Sequence, residues 1–153
     1  MTAPAAPPAP AETRFGLLVV THGGLAFELV RALERIVGGI DRVRAMSIDW
    51  DTDLVAARDA VEKAIAEVNP GGGVLIMTDM FGGTATNLTL SFLREGIEIV
   101  TGVNLPMMIK FANLRHTGSL REAAALVMEQ GRRSVVLATD YLGPAPDETA
   151  DPA

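Results

Sequence analysis

The 153-residue sequence contains no cysteine and only two histidines. Without cysteine the chain can form no disulfide, hold no metal through thiolates and carry no thiol redox switch. Two histidines barely suffice for a zinc site built on imidazoles. Any chemistry that the chain performs must therefore use oxygen groups or a single imidazole.

Basic residues and long apolar runs are also scarce. Lys and Arg number 13 against 19 Asp and Glu, for a net charge of -6, which argues against a surface for nucleic acid or anionic membranes. No segment approaches the roughly 18 consecutive apolar residues of a membrane span. The Ala- and Pro-rich N-terminus lacks the basic and apolar regions of a secretory signal. We expect a cytoplasmic protein whose partners are small molecules or proteins.

Proline marks the ends of the predicted domain. A composition that is 48% apolar predicts one packed core at this length. Four of the nine prolines lie in residues 4–10 and three more in residues 144–152. We predict a disordered Ala/Pro tail over residues 1–13, a folded domain over residues 14–142 and a disordered acidic tail over residues 143–153.

Short apolar runs alternate with stretches of helical periodicity along this domain. The runs predict strands at residues 15–21, 74–78, 97–101 and 134–138, with a weaker one at 43–48. Helical stripes cover residues 25–36 and 54–68, a third helix starts at Thr84 and a fourth near Met107. A last helix opens with the capping box of Ser119 and Glu122 and closes at Gly131.

This alternation predicts the fold class. Strand, helix, strand in sequence means right-handed crossovers between parallel strands. We predict a doubly wound α/β domain: a mostly parallel sheet of about four strands plus a C-terminal antiparallel strand, with helices on both faces. In such sheets the binding crevice lies at the carboxyl ends of the strands, where crossovers diverge to opposite faces. The loops after the first and third strands are the ones to inspect.

Those two loops carry a histidine and a carboxylate. The first contains Thr21, His22 and Gly23, and the second begins with Asp79. If the two strands are neighbours, Asp79 can accept a hydrogen bond from one ring nitrogen of His22, fix the tautomer and leave the other nitrogen as a nucleophile. A histidine at a strand end can equally be a capped surface residue, and Asp79 can cap its own turn.

A glycine pair in the second loop is typical of phosphate binding. Gly82, Gly83 and Thr84 would open the third helix, where backbone N–H groups and the positive end of the helix dipole suit a phosphoryl group. The Thr84 hydroxyl would add a donor. The pairing of His22 and Asp79 with this turn favours phosphoryl chemistry over the surface interpretation.

Other motifs are interpreted as structural. Residues 49–53 imitate the start of a calcium loop, but Leu54 and Ala60 stand where that loop needs Gly and Glu, so we predict a loop followed by a helix N-cap. His116 lies in a polar stretch and is predicted to be solvated. Two glycine patterns typical of nucleotide binding are missing: the glycine loop that ends in Gly-Lys-Ser/Thr, and Gly-x-Gly-x-x-Gly.

The quoted residues resemble a known family, the IIA domain of the mannose-type permeases of the bacterial phosphoenolpyruvate-dependent phosphotransferase system (PTS). The resemblance covers roughly residues 15–138 and rests on three ordered blocks at residues 20–23, 79–87 and 102–107. The chain departs from the usual pattern at Thr84, where the family often has Ser, and at Ala85, where it often has Pro.

The resemblance implies a role for each matching residue. The histidine at the position of His22 accepts a phosphoryl group from the phosphocarrier HPr and passes it to a IIB domain. The acid at the position of Asp79 bonds the other ring nitrogen, and the turn at Gly82, Gly83 and Thr84 lies at the phosphate. Supporting roles fall to the remaining motif positions, Thr21, Gly23 and Asn87.

The resemblance also implies partners. It predicts HPr and a IIB protein as partners, a homodimer that shares the C-terminal strand at residues 134–138, peripheral association with membrane permease subunits, and neither a cofactor nor a metal. The fold-sharing phosphotransfer subunit of dihydroxyacetone kinase is a second, less similar relative.

Two alternative functions remain open. Because no IIB domain follows in the sequence, the chain could be a stand-alone regulatory IIA module whose phosphorylation controls a protein target rather than sugar uptake. An aspartyl-phosphate receiver domain is the second alternative. It would need an acidic pair after the first strand and a lysine after the last, where this chain has Thr21 with His22 and Thr139 with Asp140.

Overall fold

The computed structural model describes residues 12–49 and 51–143 and contains an α/β domain. The elements follow one another as β1 (Gly16–His22), α1 (Leu25–Val37), β2 (Val43–Ile48), α2 (Leu54–Val68), β3 (Val74–Thr78), α3 (Thr84–Leu90), β4 (Ile97–Thr101), α4 (Leu105–Leu114), α5 (Leu120–Arg133) and α6 (Ala138–Leu142). The predicted terminal tails lie almost entirely outside the described residues. Within the described ranges, no helix is long and apolar enough to cross a membrane.

The four strands form one parallel sheet in the order β2-β1-β3-β4. The central strands β1 and β3 are buried along their length except at His22, which is half-buried. Their continuous apolar sequences are explained by this position, because a central parallel strand is covered by helices on both faces. The prediction of a mostly parallel sheet of about four strands is confirmed.

Two separate apolar cores flank the sheet. Alternate β1 residues Leu17 and Val19 face a core built with α1, α4 and α5, whereas Leu18 and Val20 face a core built with α2 and α3. The apolar side chains that recur with helical periodicity contribute to both cores, such as Leu33 of α1 to the first and Val61 of α2 to the second. The predicted helices on both faces are confirmed.

This layering puts a topological switch point between β1 and β3. From β1 the chain crosses one face through α1 to β2, and from β3 it crosses the other face through α3 to β4. The loops that leave β1 and β3 therefore diverge and open a crevice at the carboxyl ends of two paired strands.

Local capping signals predicted two helix starts. The Asp53 side chain accepts a hydrogen bond from the Val55 amide at 3.1 Å and caps α2, which confirms the predicted helix N-cap. Ser119 and Glu122 form the predicted reciprocal capping box of α5. This helix continues past Gly131 to Arg133, because Gly131 packs against Met107 inside the helix rather than ending it.

The predicted C-terminal antiparallel strand at residues 134–138 was wrong for the described chain. Ser134 caps α5, its hydroxyl donating to the Gln130 carbonyl at 2.7 Å, residues 135–137 have no regular structure, and Ala138 begins α6. The physical reason is that an apolar run forms a strand only if it pairs with a sheet edge, and here the run follows directly from the end of α5 and pairs with none of the four strands. Val135, Val136 and Leu137 are 79%, 56% and 66% exposed.

Candidate active site

His22 and Asp79 meet at the switch point. His22 is the last residue of β1, and Asp79 directly follows β3. The two strands are paired so that Val20 lies opposite Thr78, which places the ends of both strands side by side. The adjacency that the sequence analysis had assumed is the observed one.

The Asp79 carboxylate holds the His22 residue at two points. His22 Nδ1 lies 2.8 Å from Asp79 Oδ2, and the His22 backbone N–H donates to the same oxygen at 3.0 Å. The other carboxylate oxygen, Oδ1, accepts the Met80 amide at 3.0 Å. Both side chains are only 15% exposed. Asp79 thus orients His22 through both its backbone N–H and its imidazole ring.

These hydrogen bonds keep Asp79 ionised. Burial by itself raises the pKa of the Asp79 carboxyl, but the backbone N–H of His22, the His22 ring and the Met80 amide together outweigh burial and lower it from its ordinary value of 3.8. An ionised carboxylate only accepts hydrogen bonds, so Nδ1 of the neutral imidazole must donate. The nitrogen lone pair then lies on Nε2.

The Gly82-Gly83 turn approaches this edge of the ring. A methyl group at Gly83 would lie 2.8 Å from His22 Cε1 and 3.4 Å from Nε2, so only glycine fits there without displacing the imidazole. Gly82 has a φ of +84°, a conformation that residues with side chains rarely adopt. The turn thus brings the backbone that precedes α3 against the histidine.

Thr21 and Gly23 support the loop after β1. The buried Thr21 hydroxyl accepts the Ala26 amide at 2.8 Å and so binds the first turn of α1 to the end of the strand. Gly23 follows His22 with a φ of +53° and is exposed. Both residues shape the backbone of the loop after β1.

Thr84 and Asn87 lie further out. Thr84 is the first residue of α3 and is exposed. Asn87 lies one turn later, where its backbone N–H donates to the Gly83 carbonyl at 2.9 Å. Both line a shallow groove whose other wall contains Leu54, Val55 and Arg58 of α2. Of the predicted site residues, the structure therefore brings together His22, Asp79 and Gly83, and places Asn87 beside them rather than at the imidazole.

A known protein family matches most of the chain. The EIIA-man family, described as PTS system fructose IIA component, matches residues 16–128. The chain belongs to this family. The matched range contains all the predicted site residues and ends before the exposed segment 135–137. EIIA-man members are components of phosphotransferase systems, as the resemblance indicated.

Individual relatives agree with the family. A PTS system mannose-specific EIIAB component of Escherichia coli (strain K12) is 30% identical over 146 residues, covering 90% of this chain and 42% of that protein. The chain thus spans less than half the length of that relative. A PTS system fructose-specific EIIA component of Bacillus subtilis (strain 168) is 22% identical, with 82% of this chain and 88% of that protein covered.

The fold is also that of a solved PTS protein. The crystal structure of the PTS IIA protein associated with the fucose utilization operon from Streptococcus pneumoniae matches with a TM-score of 0.75. The match covers 88% of this chain and 100% of that one at 24% sequence identity. At this identity the similarity establishes a shared fold.

Two buried threonines near the site were not singled out from the sequence. The Thr78 and Thr86 hydroxyls lie 2.9 Å apart, and Thr86 also donates to the Met80 carbonyl. Neither residue is exposed. The only signal in the sequence was the recurrence of threonine at residues 84, 86 and 89 of a short helix, which does not reveal which hydroxyl turns toward the loop.

The second histidine lies elsewhere. His116 follows α4 and its Nδ1 lies 3.2 Å from the Glu12 carbonyl, near the start of β1 and thus at the opposite end of the sheet from His22. Across residues 12–49 and 51–143, no three His, Cys, Asp or Glu side chains come together in a group that could hold a metal ion.

Proposed function

We propose that this EIIA-man chain is a phosphocarrier that accepts a phosphoryl group from phosphorylated HPr on Nε2 of His22 and passes it to a IIB partner. The observation that carries the proposal is the double contact of Asp79 with His22, which directs Nδ1 inward and turns the Nε2 edge toward Gly83. The family membership supports the same reaction class.

The transfer is an in-line displacement between two imidazoles. The lone pair of His22 Nε2 forms a new N–P bond while the N–P bond of the donor phosphohistidine breaks and returns its electron pair to the donor ring. The His22 ring becomes more positive as the bond forms, and the ionised Asp79 stabilises that charge through Nδ1–H. Transfer to IIB is the same kind of step, in which phosphorylated His22 is the donor and a group on IIB is the acceptor.

The start of α3 would hold the phosphoryl oxygens. The first backbone N–H groups of a helix have no acceptor within that helix, so the amides of Gly83 and Thr84 are suited to anionic oxygens. Gly83 already lies against the reacting edge of the ring. The exposed Thr84 hydroxyl would add a further donor.

Exposed apolar side chains near the site suit protein partners. Met80 and Phe81, in the loop that carries Asp79, are 54% and 76% exposed, and Leu25, three residues after His22, is 46% exposed. Large apolar side chains exposed around a site are typical of a protein-binding surface. HPr and IIB would dock here, and any contact with membrane permease subunits would be peripheral.

Phosphorylation of the wild-type chain tests the proposal. We expect that incubation with phosphoenolpyruvate, enzyme I and HPr adds one phosphoryl group, which phosphorus NMR and peptide mapping should locate on Nε2 of His22. Subsequent addition of a IIB protein should remove it. Phosphorylation on another residue would contradict the proposal, whereas phosphorylation without onward transfer would favour the regulatory alternative.

Substitution Gly83→Ala should slow the transfer without unfolding the chain. Gly83 has a φ of -81° and a ψ of 172°, which alanine adopts without strain, so the substitution adds only a methyl group against the imidazole. Because small misplacements of a reacting group are costly, we expect the initial phosphorylation rate to fall about 100-fold.

Gly24→Ala is the matched control for this prediction. Gly24 also lies close to His22 in sequence, has a φ of -77°, and would meet no atom within 4 Å. Its phosphorylation rate should remain near that of the wild type. Equal rates for the two variants would show that the contact between Gly83 and the ring has no role in transfer.

We further propose that the chain forms a homodimer through the β4 edge of the sheet. Among the described residues β4 pairs only with β3, so its outer edge presents backbone groups suited to pairing with another strand. A groove beside this edge is lined by Phe81, Leu93, Ile99, Met128 and Val135. The exposed apolar segment 135–137 of a second copy would cover it.

Substitution Val135→Asp should therefore weaken the dimer. We expect sedimentation of the wild-type chain to give a dimer and that of the variant to give mainly monomer, because an interfacial carboxylate would have to be desolvated. Val55→Asp is the control, since Val55 is 71% exposed but lies on α2, away from β4. A monomeric wild-type chain would overturn this proposal.

A further inference from the structure

A chain of hydrogen bonds, buried at its α3 end, runs from α3 to the candidate active site. Its centre is the Thr86 hydroxyl, which lies 2.9 Å from the Thr78 hydroxyl and bonds the Met80 carbonyl. Thr78 is the last residue of β3 and Thr86 belongs to the first turn of α3. Both side chains are completely buried, so water does not replace either partner.

The link continues from Met80 to the imidazole. Met80 presents its carbonyl to Thr86 and its amide to Asp79 Oδ1 at 3.0 Å, and Asp79 Oδ2 receives both the backbone N–H and Nδ1 of His22. One peptide unit on each side of Met80 is therefore fixed, one by a threonine hydroxyl and one by the carboxylate that orients the histidine.

We propose that Thr86 is a positioning residue for the phosphoryl acceptor. Its hydroxyl holds the Met80 backbone, which fixes the rotamer of Asp79 and, through Asp79, the tautomer and direction of the His22 ring. Thr86 does not touch the imidazole and acts only through this chain of contacts. The proposal rests on the proposed function, because it concerns the readiness of His22 Nε2 to accept a phosphoryl group.

The hydroxyl rather than the bulk of Thr86 carries this role. Removal of the hydroxyl would leave the Met80 carbonyl without its Thr86 donor inside a part-buried loop, and a polar group in that situation turns to find another partner. Rotation of the Met80 peptides would move the amide that holds Asp79 Oδ1. A functional group is held precisely only if the contacts behind it are also fixed.

Four variants separate the hydroxyl from the packing. Thr86→Val keeps the shape of the side chain and loses the hydroxyl. Thr86→Ser and Thr86→Ala differ from each other only in the hydroxyl, and both side chains are small enough for the site even if the Thr86→Val variant does not fold. Thr89→Val is the matched control. Thr89 is equally buried on the same helix, but its hydroxyl bonds the Thr86 carbonyl at 3.0 Å within α3 and not the loop.

The first readout requires no phosphoryl donor. Nitrogen-15 NMR of the imidazole distinguishes a protonated ring nitrogen from one with a lone pair, and we expect wild type, Thr86→Ser and Thr89→Val to show Nδ1 protonated and Nε2 with the lone pair. Thr86→Val and Thr86→Ala should show averaged shifts of mixed tautomers. The second readout is the phosphorylation rate, which we expect to fall about tenfold in the latter two variants only.

The outcomes are distinguishable from failure of the proposed function. If the wild-type chain took no phosphoryl group but the two hydroxyl-free variants lost the single tautomer, the phosphocarrier function would be wrong and the positioning by Thr86 would stand. If Thr86→Ala folded and kept the wild-type ring shifts and rate, the positioning role would be overturned. Equal loss in Thr89→Val would likewise overturn it.

Discussion

Replacement of His22 with alanine should abolish phosphorylation of the chain by phosphorylated HPr. The proposed transfer uses the Nε2 lone pair itself, so no neighbouring group can take over the bond that forms to phosphorus. We expect incorporation of phosphate to fall to background in an assay with phosphoenolpyruvate, enzyme I and HPr, while circular dichroism shows the wild-type fold.

The control for this prediction is the chain's other histidine. His116 lies near the Glu12 carbonyl, away from the switch point, so His116→Ala should be phosphorylated at the wild-type rate. Any phosphate that persists in His22→Ala would contradict the proposal. The chemistry of such a phosphate would name the true acceptor, because hydroxylamine cleaves an acyl phosphate on Asp79 and acid leaves a phosphate on the Thr84 hydroxyl intact.

The sequence could predict the crevice because its determinants are short-range patterns. The apolar run at residues 74–78 and the helical periodicity after Leu54 match β3 and α2 closely, since a central strand and a two-sided core dictate composition residue by residue. Once the strand order was assumed, Asp79 and His22 had to meet at adjacent strand ends. The observed register between β1 and β3 supplied what the one-dimensional pattern lacked.

The two failures of sequence interpretation have a common physical origin. The apolar segment after α5 has the composition of a strand, yet pairing depends on an available sheet edge, which composition does not encode. The role of Thr86 was hidden for the same reason, because its hydroxyl bonds Met80 and Thr78 across a loop whose course depends on tertiary structure. Contacts that do not follow the periodicity of a helix or strand can be identified only in the folded chain.

Substitution Asp79→Asn should reduce the transfer rate strongly while leaving the imidazole in place. An asparagine has nearly the same shape but can donate its amide N–H to Nδ1, which would put the imidazole proton on Nε2 and block that nitrogen as a nucleophile. It also lacks the negative charge that stabilises the ring as the bond to phosphorus forms. We expect a rate about 10,000-fold below wild type, comparable to the loss when an orienting aspartate becomes asparagine in a serine-protease triad.

Asp41→Asn is a suitable control for the kinetic effect. The pKa of Asp41 is also below its ordinary value, chiefly because the Arg115 side chain donates a hydrogen bond to it, but this pair lies at the other end of β1. The variant should be phosphorylated at the wild-type rate. Comparable rate losses in both variants would indicate a general effect of charge or stability instead of an effect on the imidazole.

Substitution Asp79→Asn should also change the pH dependence of stability. Because folding lowers the pKa of Asp79 below 3.8, its ionisation stabilises the folded chain fully above that value, and the stabilisation is lost as the pH falls through the lower, folded-state pKa. Asparagine does not titrate, so the free energy of unfolding of wild type should approach that of Asp79→Asn at the acid end of this range and exceed it at neutral pH. Urea denaturation of both proteins from pH 7 downward measures the difference, and a constant gap across the range would show that the His22 contacts do not stabilise the ionised carboxylate.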